Sequence, residues 1–301
     1  MTDATYRSVN RAGWGKLNSR AGEYDQSYGP EQFAQARRLL DPAGWLPWRR
    51  FHSVLCLAAG GGQQGPLFAS LGYEVTVVDL SPDQLASDRA TAARHGLHLE
   101  CVEADMQDLA LLAGRSFDLV YQAVSSLYVP DIRQCYGQVA AVTRRGGWYF
   151  SEHWNPVQMQ LDEDRCWDGS ANRVSLRPGT GPHPWPPGEL SEATCWHYIH
   201  SIGDLLGGLC EAGFAIVRFD ERGQDEPGAV PGSQEHLDGY LPGHFGIWPA
   251  AGCPAENGPG QCRRTVTRGR CAGSWTRGGA IPDSRCCAEP SSVTSVTFSI
   301  R

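Results

Sequence analysis

A run of glycines between an apolar, strand-like segment and a helix-forming one constrains this chain more than any other feature. Residues 54–65 read VLCLAAGGGQQG, with Gly60-x-Gly62-x-x-Gly65 directly after the apolar stretch. Glycines let a backbone turn sharply and come close to a ligand, and a helix starting behind them presents free N–H groups and the positive end of its dipole. Asp79 closes the next apolar segment, residues 74–79. A carboxylate there can accept both hydroxyl hydrogens of a ribose. Taken alone, this is the fingerprint of a nucleotide-binding crevice and suits NAD as well as other adenosine-bearing ligands. A plainer reading is that the glycines only let helix and sheet pack tightly.

The rest of the chain supplies the context that the loop needs. Residues 52–57, 74–79, 98–102, 117–122, 148–152 and 214–219 are short apolar segments that read as strands. Helical stretches lie between them. One covers residues 64–71 and ends at Gly72; another is capped by Ser81, has Pro82 at its first position and stops at Gly96. Residues 130–144 carry Ile132, Tyr136, Val139 and Thr143 at helical spacing, and Ile202, Leu205, Leu206 and Leu209 follow a capping-box-like Ser201 and Asp204. Upstream, residues 30–40 read as a short amphipathic helix through Phe33, Ala36 and Leu40. This alternation predicts a Rossmann-like, doubly wound α/β fold, a mostly parallel sheet with helices on both faces. Residues 154–196 break the rhythm with six prolines and four tryptophans, and an inserted cap is expected over about 154–197.

Charge and cysteine narrow the partners. The chain carries a formal net charge of -7, yet residues 252–301 hold seven arginines against Glu256, Asp283 and Glu289. The acidic body argues against nucleic acid, which wants a basic face. No apolar run approaches the ~20 residues of a membrane span, and the first residues lack the apolar stretch of a leader. A cytoplasmic protein with no membrane partner is expected. Five cysteines fall in the tail as C-x8-C-x8-C-x14-C-C, a spacing that matches no familiar metal pattern, so no metal is expected. The other six lie singly and read as reduced, buried thiols. A last sheet strand is expected shortly after Tyr240-Leu241-Pro242, but the pattern dissolves there, which leaves residues 293–300 (VTSVTFSI) as a candidate edge strand.

The third strand tips the choice of ligand. Glu103-Ala104-Asp105-Met106 follows it, and residues 51–222 as a whole resemble the class I S-adenosylmethionine-dependent methyltransferases. The AAGGGQQ sequence is similar to a bacterial subgroup acting on small molecules. In that family the ends of strands one, two and three bind the methionine part, the ribose and the adenine. The resemblance assigns these roles to Ala58, Ala59, Gly60, Gly61 and Gly62, to Asp79-Leu80, and to Asp105-Met106. Residues 10–14 (NRAGW) resemble the family's leading segment, which folds over the donor site. Two positions depart from the pattern: Cys56 stands at the usual acidic position of strand one, and Ala58 at the first loop glycine. Gln63, Gln64 or Gln122 are candidates to take over the missing contact. Tyr28, with Tyr24, precedes the first short helix and can close over the cofactor or serve as a surface-packing aromatic.

The resemblance implies S-adenosylmethionine as cofactor and methyl transfer to a small-molecule acceptor, as in natural-product biosynthesis. It divides the chain into an N-terminal helical lid (1–50), a methyltransferase domain (51–251) and a low-order tail (252–301). A general base is needed only if the acceptor must lose a proton. His153 at the end of strand five, and His197 and His200 before the Ser201 helix, are the catalytic candidates, with Tyr128 after strand four nearby. Each has a structural alternative as a hydrogen-bonded packing residue. A nicotinamide-dependent oxidoreductase is the competing enzyme, supported by the same Gly60, Gly62, Gly65 and Asp79; a non-catalytic nucleotide-binding module is favoured by Cys56. A homo-oligomer is left open.

Overall fold

Segments rich in valine and leucine can be buried on both faces, and those around the glycine loop form the centre of a seven-stranded sheet. The computed structural model describes residues 3–19, 28–161, 166–167, 172–173, 182–185, 194–222 and 228–251. The strands are β1 (Ser53–Leu57), β2 (Glu74–Asp79), β3 (Glu100–Glu103), β4 (Phe117–Gln122), β5 (Thr143–Trp154), β6 (Phe214–Arg222) and β7 (His244–Ala251). They stand in the order β6-β7-β5-β4-β1-β2-β3. The five from β3 to β5 pair in parallel, whereas β7 runs antiparallel to both β5 and β6. The order reverses between β1 and β4, so the crevice of an open α/β sheet opens at their carboxyl ends.

The helices that bear on the site are α1 (Asp3–Ser19), α2 (Pro30–Ala34), α3 (Ala36–Leu40), α4 (Gln64–Ser70), α5 (Pro82–His95) and α6 (Ile132–Val142). Their ends follow local rules. Ser81 caps α5 with Pro82 at its first position, and Gly96 ends it in the left-handed conformation at φ 64°. Asp131 caps α6 by accepting from the Arg133 and Gln134 N–H groups. Alternate residues of β1 feed opposite faces of the sheet. Leu55 and Leu57 join Val139, Tyr149 and Leu209 on the α6 side, while Val54 and Cys56 join Leu67, Phe68, Leu85 and Trp248 on the other. None of the helices among the described residues is long and apolar enough to cross a membrane.

Several expectations need correction. The strand sought after Pro242 exists as β7, and it fills the slot between β5 and β6. Its sequence, HFGIWPAA, hides it, because Gly246 and Pro249 spoil the alternation. Pro249 has no N–H to give, and the β6–β7 register slips opposite it, between Ile216 and Arg218. An edge strand from residues 293–300 is therefore not required by the sheet; those residues, like the whole stretch 252–301, lie outside the described ones. The helix read over 30–40 is two short helices broken at Gln35. The helix expected after Ser201 is a π-helical turn, Gly203–Gly207, running into Gly208–Glu211. Strand β5 starts at Thr143, directly after α6. Of the body's cysteines, Cys56, Cys135 and Cys195 are buried thiols, but Cys210 is exposed. Of the expected cap, only Trp154 to Leu161, three short strand segments and the stretch from Thr194 are described.

Candidate active site

The loop after β1 turns through Ala58, which takes φ 47°, a conformation that costs a residue with a Cβ about 1–2 kcal/mol. Gly61 and Gly62 follow at φ 109° and 81°. The missing side chains of the motif face away from any ligand. A Cβ on Gly60 would stand 2.6 Å from Gln84 Cβ, one on Gly62 2.7 Å from Thr91 Oγ1, and one on Gly65 2.5 Å from Val77 Cγ2. Close packing on α5 and β2 thus accounts for these three glycines, as the plainer reading held. What the loop turns to the other side is Ala58, Ala59 and the Gly60 backbone, and these line a cavity.

Two acids stand in that cavity wall. Asp79, at the end of β2, accepts the Gly60 N–H at 3.0 Å through Oδ2 and the Ser81 N–H at 2.8 Å through Oδ1. Burial raises its pKa, and these N–H groups oppose the rise. A carboxylate has about four acceptor positions, so Asp79, which the Leu80 N–H also faces, holds its loop and keeps acceptor capacity toward the cavity. Asp105, after β3, is more heavily used. It accepts the Tyr6 hydroxyl, the Arg7 Nε–H at 2.5 Å and the Gln107 N–H at 2.9 Å, which leaves one. Burial, with the Asp105 contact adding to it, lifts the Tyr6 hydroxyl well above the ordinary tyrosine range. Leu80, Ala104 and Met106 give an apolar surface between the acids. An acid for a diol, a flat apolar slot and one spare acceptor beyond it suit an adenosine with a polar tail.

Gln122 does not reach the cavity. It is fully buried and donates from Nε2 to Ser125 Oγ at 2.9 Å and toward Met106 Sδ at 3.5 Å, while its Oε1 accepts the Tyr149 hydroxyl. It holds two cavity residues from behind. Gln63 and Gln64 do line the cavity.

The roof comes from α1. Tyr6, Asn10 and Trp14 repeat every four residues, one face of a helix, and all three line the cavity. Asn10 pins the helix in place. It donates to the Tyr128 carbonyl at 2.9 Å and the Trp196 carbonyl at 3.2 Å, and accepts the Trp196 N–H at 2.6 Å. Trp14 meets Tyr128 edge to face at 5.4 Å. The sequence reading missed Tyr6 and named the 10–14 stretch only by likeness; the four-residue repeat was the available signal.

The three histidines lie behind the wall, against expectation. His153 is fully buried; its Nδ1 and Nε2 are each 2.8 Å from a serine hydroxyl, Ser126 and Ser151 respectively. Burial and the nearby His200 push its pKa down to about 3. His200 places Nε2 3.0 Å from the Ser126 carbonyl, and burial lowers its pKa. His197 packs edge to face on Tyr128 at 4.9 Å and is not among the cavity-lining residues, and burial pushes it down to about 3. Burial thus favours the neutral form of all three. Tyr28 packs against the hydrophobic core and is absent from the cavity wall; Tyr24 lies outside the described residues. Among the described residues there is no cluster of His, Cys, Asp and Glu that could hold a metal ion.

The profile of the methyltransferase domain family matches residues 55–151. An uncharacterized methyltransferase of Bacillus subtilis (strain 168), YbaJ, is 33% identical over 204 residues, which are 66% of this chain and 76% of that one. An uncharacterized protein of Mycobacterium tuberculosis is 36% identical over 128 residues, 41% of this chain; the match spans 46% of that protein's length. The fold is similar to that of a solved S-adenosylmethionine-dependent methyltransferase from Mesorhizobium loti, with TM-score 0.55 and 22% identity over 74% of this chain and 98% of that one. The CcbJ methyltransferase from Streptomyces caelestis is likewise similar in fold, at TM-score 0.54 and 17% identity over 81% and 99% of the two chains. An antiparallel β7 between β5 and β6 also separates this sheet from the all-parallel order of the nicotinamide-dinucleotide fold. Sheet order, glycine loop, paired acids and sequence kinship agree: the chain belongs to the class I S-adenosylmethionine-dependent methyltransferases, and it is an enzyme of that family.

Proposed function

We propose that this enzyme methylates a small, largely apolar acceptor bound beneath α1. The observation that carries the reading is the roof. α1 covers the carboxyl end of the sheet, and among the described residues the wall away from the loop includes Trp14, Ala123, Val124, Ser125, Tyr128 and Val129. That is a lining for a compact apolar molecule, and an acidic chain gives a polyanion little to hold.

When bound, S-adenosylmethionine supplies a methyl group already activated by its sulfonium charge. The chain's own residues then have four tasks. The remaining acceptor capacity of Asp79 would take the ribose hydroxyls. Asp105 and Met106, with Leu80 and Ala104, take the adenine, and the Ala58–Gly60 backbone faces the amino-acid end. Trp14 and Tyr128 orient the acceptor and keep water out. Among the described residues no histidine lines the cavity, so this reading favours an acceptor atom needing no histidine base, such as a neutral amine or an ionised phenolate or thiolate.

The test has two arms. Calorimetry should find binding of S-adenosylhomocysteine and none of NAD. Labelled methyl groups should then pass from S-adenosylmethionine to members of an amine, phenol and thiol panel. Label that appears in added transfer RNA or protein, and in no small molecule, would overturn the acceptor class.

A further inference from the structure

Asp105 lines the cavity with a side chain only 7% exposed, and its two oxygens are used unequally. Oδ2 accepts the Tyr6 O–H and the Arg7 Nε–H at 2.5 Å, both from α1, and Oδ1 accepts the Gln107 N–H at 2.9 Å. A carboxylate oxygen has two acceptor positions, so Oδ2 is full and the one remaining position is on Oδ1. Arg7 is not itself among the cavity-lining residues, and 39% of its side chain is exposed.

Fastening α1 does not require these bonds. Asn10 already ties the helix to the Tyr128 and Trp196 backbones, and Arg11 pairs at 2.5 Å with Glu103, two residues before Asp105. Glycines let α1 lie close to its neighbours: a Cβ on Gly13 would stand 2.5 Å from the Thr194 carbonyl oxygen, and one on Gly15 2.5 Å from an Asp83 carboxyl oxygen. What Tyr6 and Arg7 add is control of the Asp105 carboxylate. Arginine carries donors only, so Oδ2 is held as an acceptor. With Gln107 on Oδ1, the group cannot turn about its Cβ–Cγ bond without giving up three hydrogen bonds. Gln107 is itself fixed, donating from Nε2 to Gln134 Oε1 at 3.0 Å and accepting Gln134 Nε2 at its carbonyl at 3.1 Å.

We propose that Tyr6 and Arg7 are positioning residues that set the donor's base specificity: from α1 they clamp Asp105 as an acceptor-only carboxylate, so that the purine must carry an amino group where it meets Oδ1. The proposal rests on the reading that the donor's adenine lies against Asp105. An exocyclic amine has an N–H to give Oδ1. An oxopurine presents a carbonyl oxygen at the same place, and two acceptors then face each other in the apolar slot of Leu80, Ala104 and Met106. A site built to bond an N–H rejects an analogue that lacks it, because its buried acceptor is left unpaired. A carboxyl free to turn or to take up a proton accommodates either base; one clamped by Arg7 and Tyr6 does not. The helix that roofs the cavity thereby also reads the donor.

The experiment is calorimetry of wild type and Arg7→Met with S-adenosylhomocysteine and with S-inosylhomocysteine, in which a carbonyl replaces the purine amine. Wild type should prefer the amino ligand by at least about tenfold, the lower end for a hydrogen bond to a charged group. Arg7→Met should lose most of that preference. A merely structural loss at α1 would weaken both ligands alike and leave their ratio unmoved. An unmoved ratio in Arg7→Met, or a wild type that binds the two ligands equally, would overturn the proposal. If Arg7→Met does not fold, Tyr6→Phe takes its place, removing one donor to Asp105 while keeping the ring, and its ratio is read in the same way. A wild type that binds neither ligand would overturn the donor reading, and this assignment with it.

Discussion

Asp79 serves two structures with one carboxylate, the glycine loop through Gly60 and the start of α5 through Ser81. Asp79→Ala should therefore weaken S-adenosylhomocysteine binding by roughly 1.5–3 kcal/mol, the scale of lost hydrogen bonds to a charged group. Calorimetry measures this, and unchanged affinity in a folded variant would remove Asp79 from the site. Gly60 shows where a reading of residues alone misleads. From the sequence, Gly60→Val should block ligand approach and spare the fold. The Cβ, however, would meet Gln84 Cβ at 2.6 Å and Asp79 Cγ at 3.0 Å, so the branched side chain must push α5 off the loop. We expect Gly60→Val to lower the melting temperature as well as abolish binding; an unchanged melting curve would contradict this. The glycines and acids were legible because turning and hydroxyl binding demand those residue types. The histidines were not, because a histidine at a strand end faces cavity or core according to which neighbours claim its ring, and Ser126 and Ser151 claim that of His153.

α1 depends on one residue for its seat. Asn10 is 2% exposed and makes its three hydrogen bonds to the backbones of Tyr128 and Trp196. Asn10→Leu fills similar space and leaves those backbone groups unpaired. It should cost about 1–3 kcal/mol in denaturant unfolding and weaken cofactor binding by loosening Tyr6 and Trp14. Binding at wild-type strength would show that the roof plays no part in holding the donor. Helix ends were readable to the residue where a cap or glycine marks them, as at Ser81 and Gly96 of α5. They were not readable where pairing decides. β7 keeps its place through hydrogen bonds to two neighbours, and a bulge in β6 absorbs its proline; no window of its own sequence contains that information.

Across the whole molecule, buried ionisable groups pull stability in opposite directions with pH. His153 and His197 have folded pKa values of about 3, below the ~6.5 of an unfolded histidine. The unfolded chain binds more protons below ~6.5, so stability falls as pH drops through that range, by up to ~1.4 kcal/mol per unit for each histidine. Asp88, at about 8 when folded, has the opposite sign. The folded chain holds the extra proton from ~3.9 upward, so this contribution is lost as pH rises toward 8. Together they predict greatest stability near pH ~6.5. In Asp88→Asn the alkaline decline should flatten. Urea unfolding at a series of pH values checks both, and a wild-type curve still rising at pH ~8 would show that Asp88 is ionised in the fold.

By itself the sequence determined what short windows encode: strand and helix periodicity, caps, the glycine turn, and the acids that close β2 and β3. Those features sufficed for a doubly wound sheet and a nucleotide-like ligand, and the resemblance to a known family narrowed that ligand to a methyl donor. Only the tertiary structure decided what each polar group faces. Asp105 is met by Tyr6 from 99 residues away, His153 is sealed among serines, and Asp88 of α5 is left buried with no well-formed bond. The physical reason is that burial and hydrogen-bond partnership arise from contacts between distant segments, which local pattern carries no record of, whereas turns and helix ends are settled by residues a few positions apart.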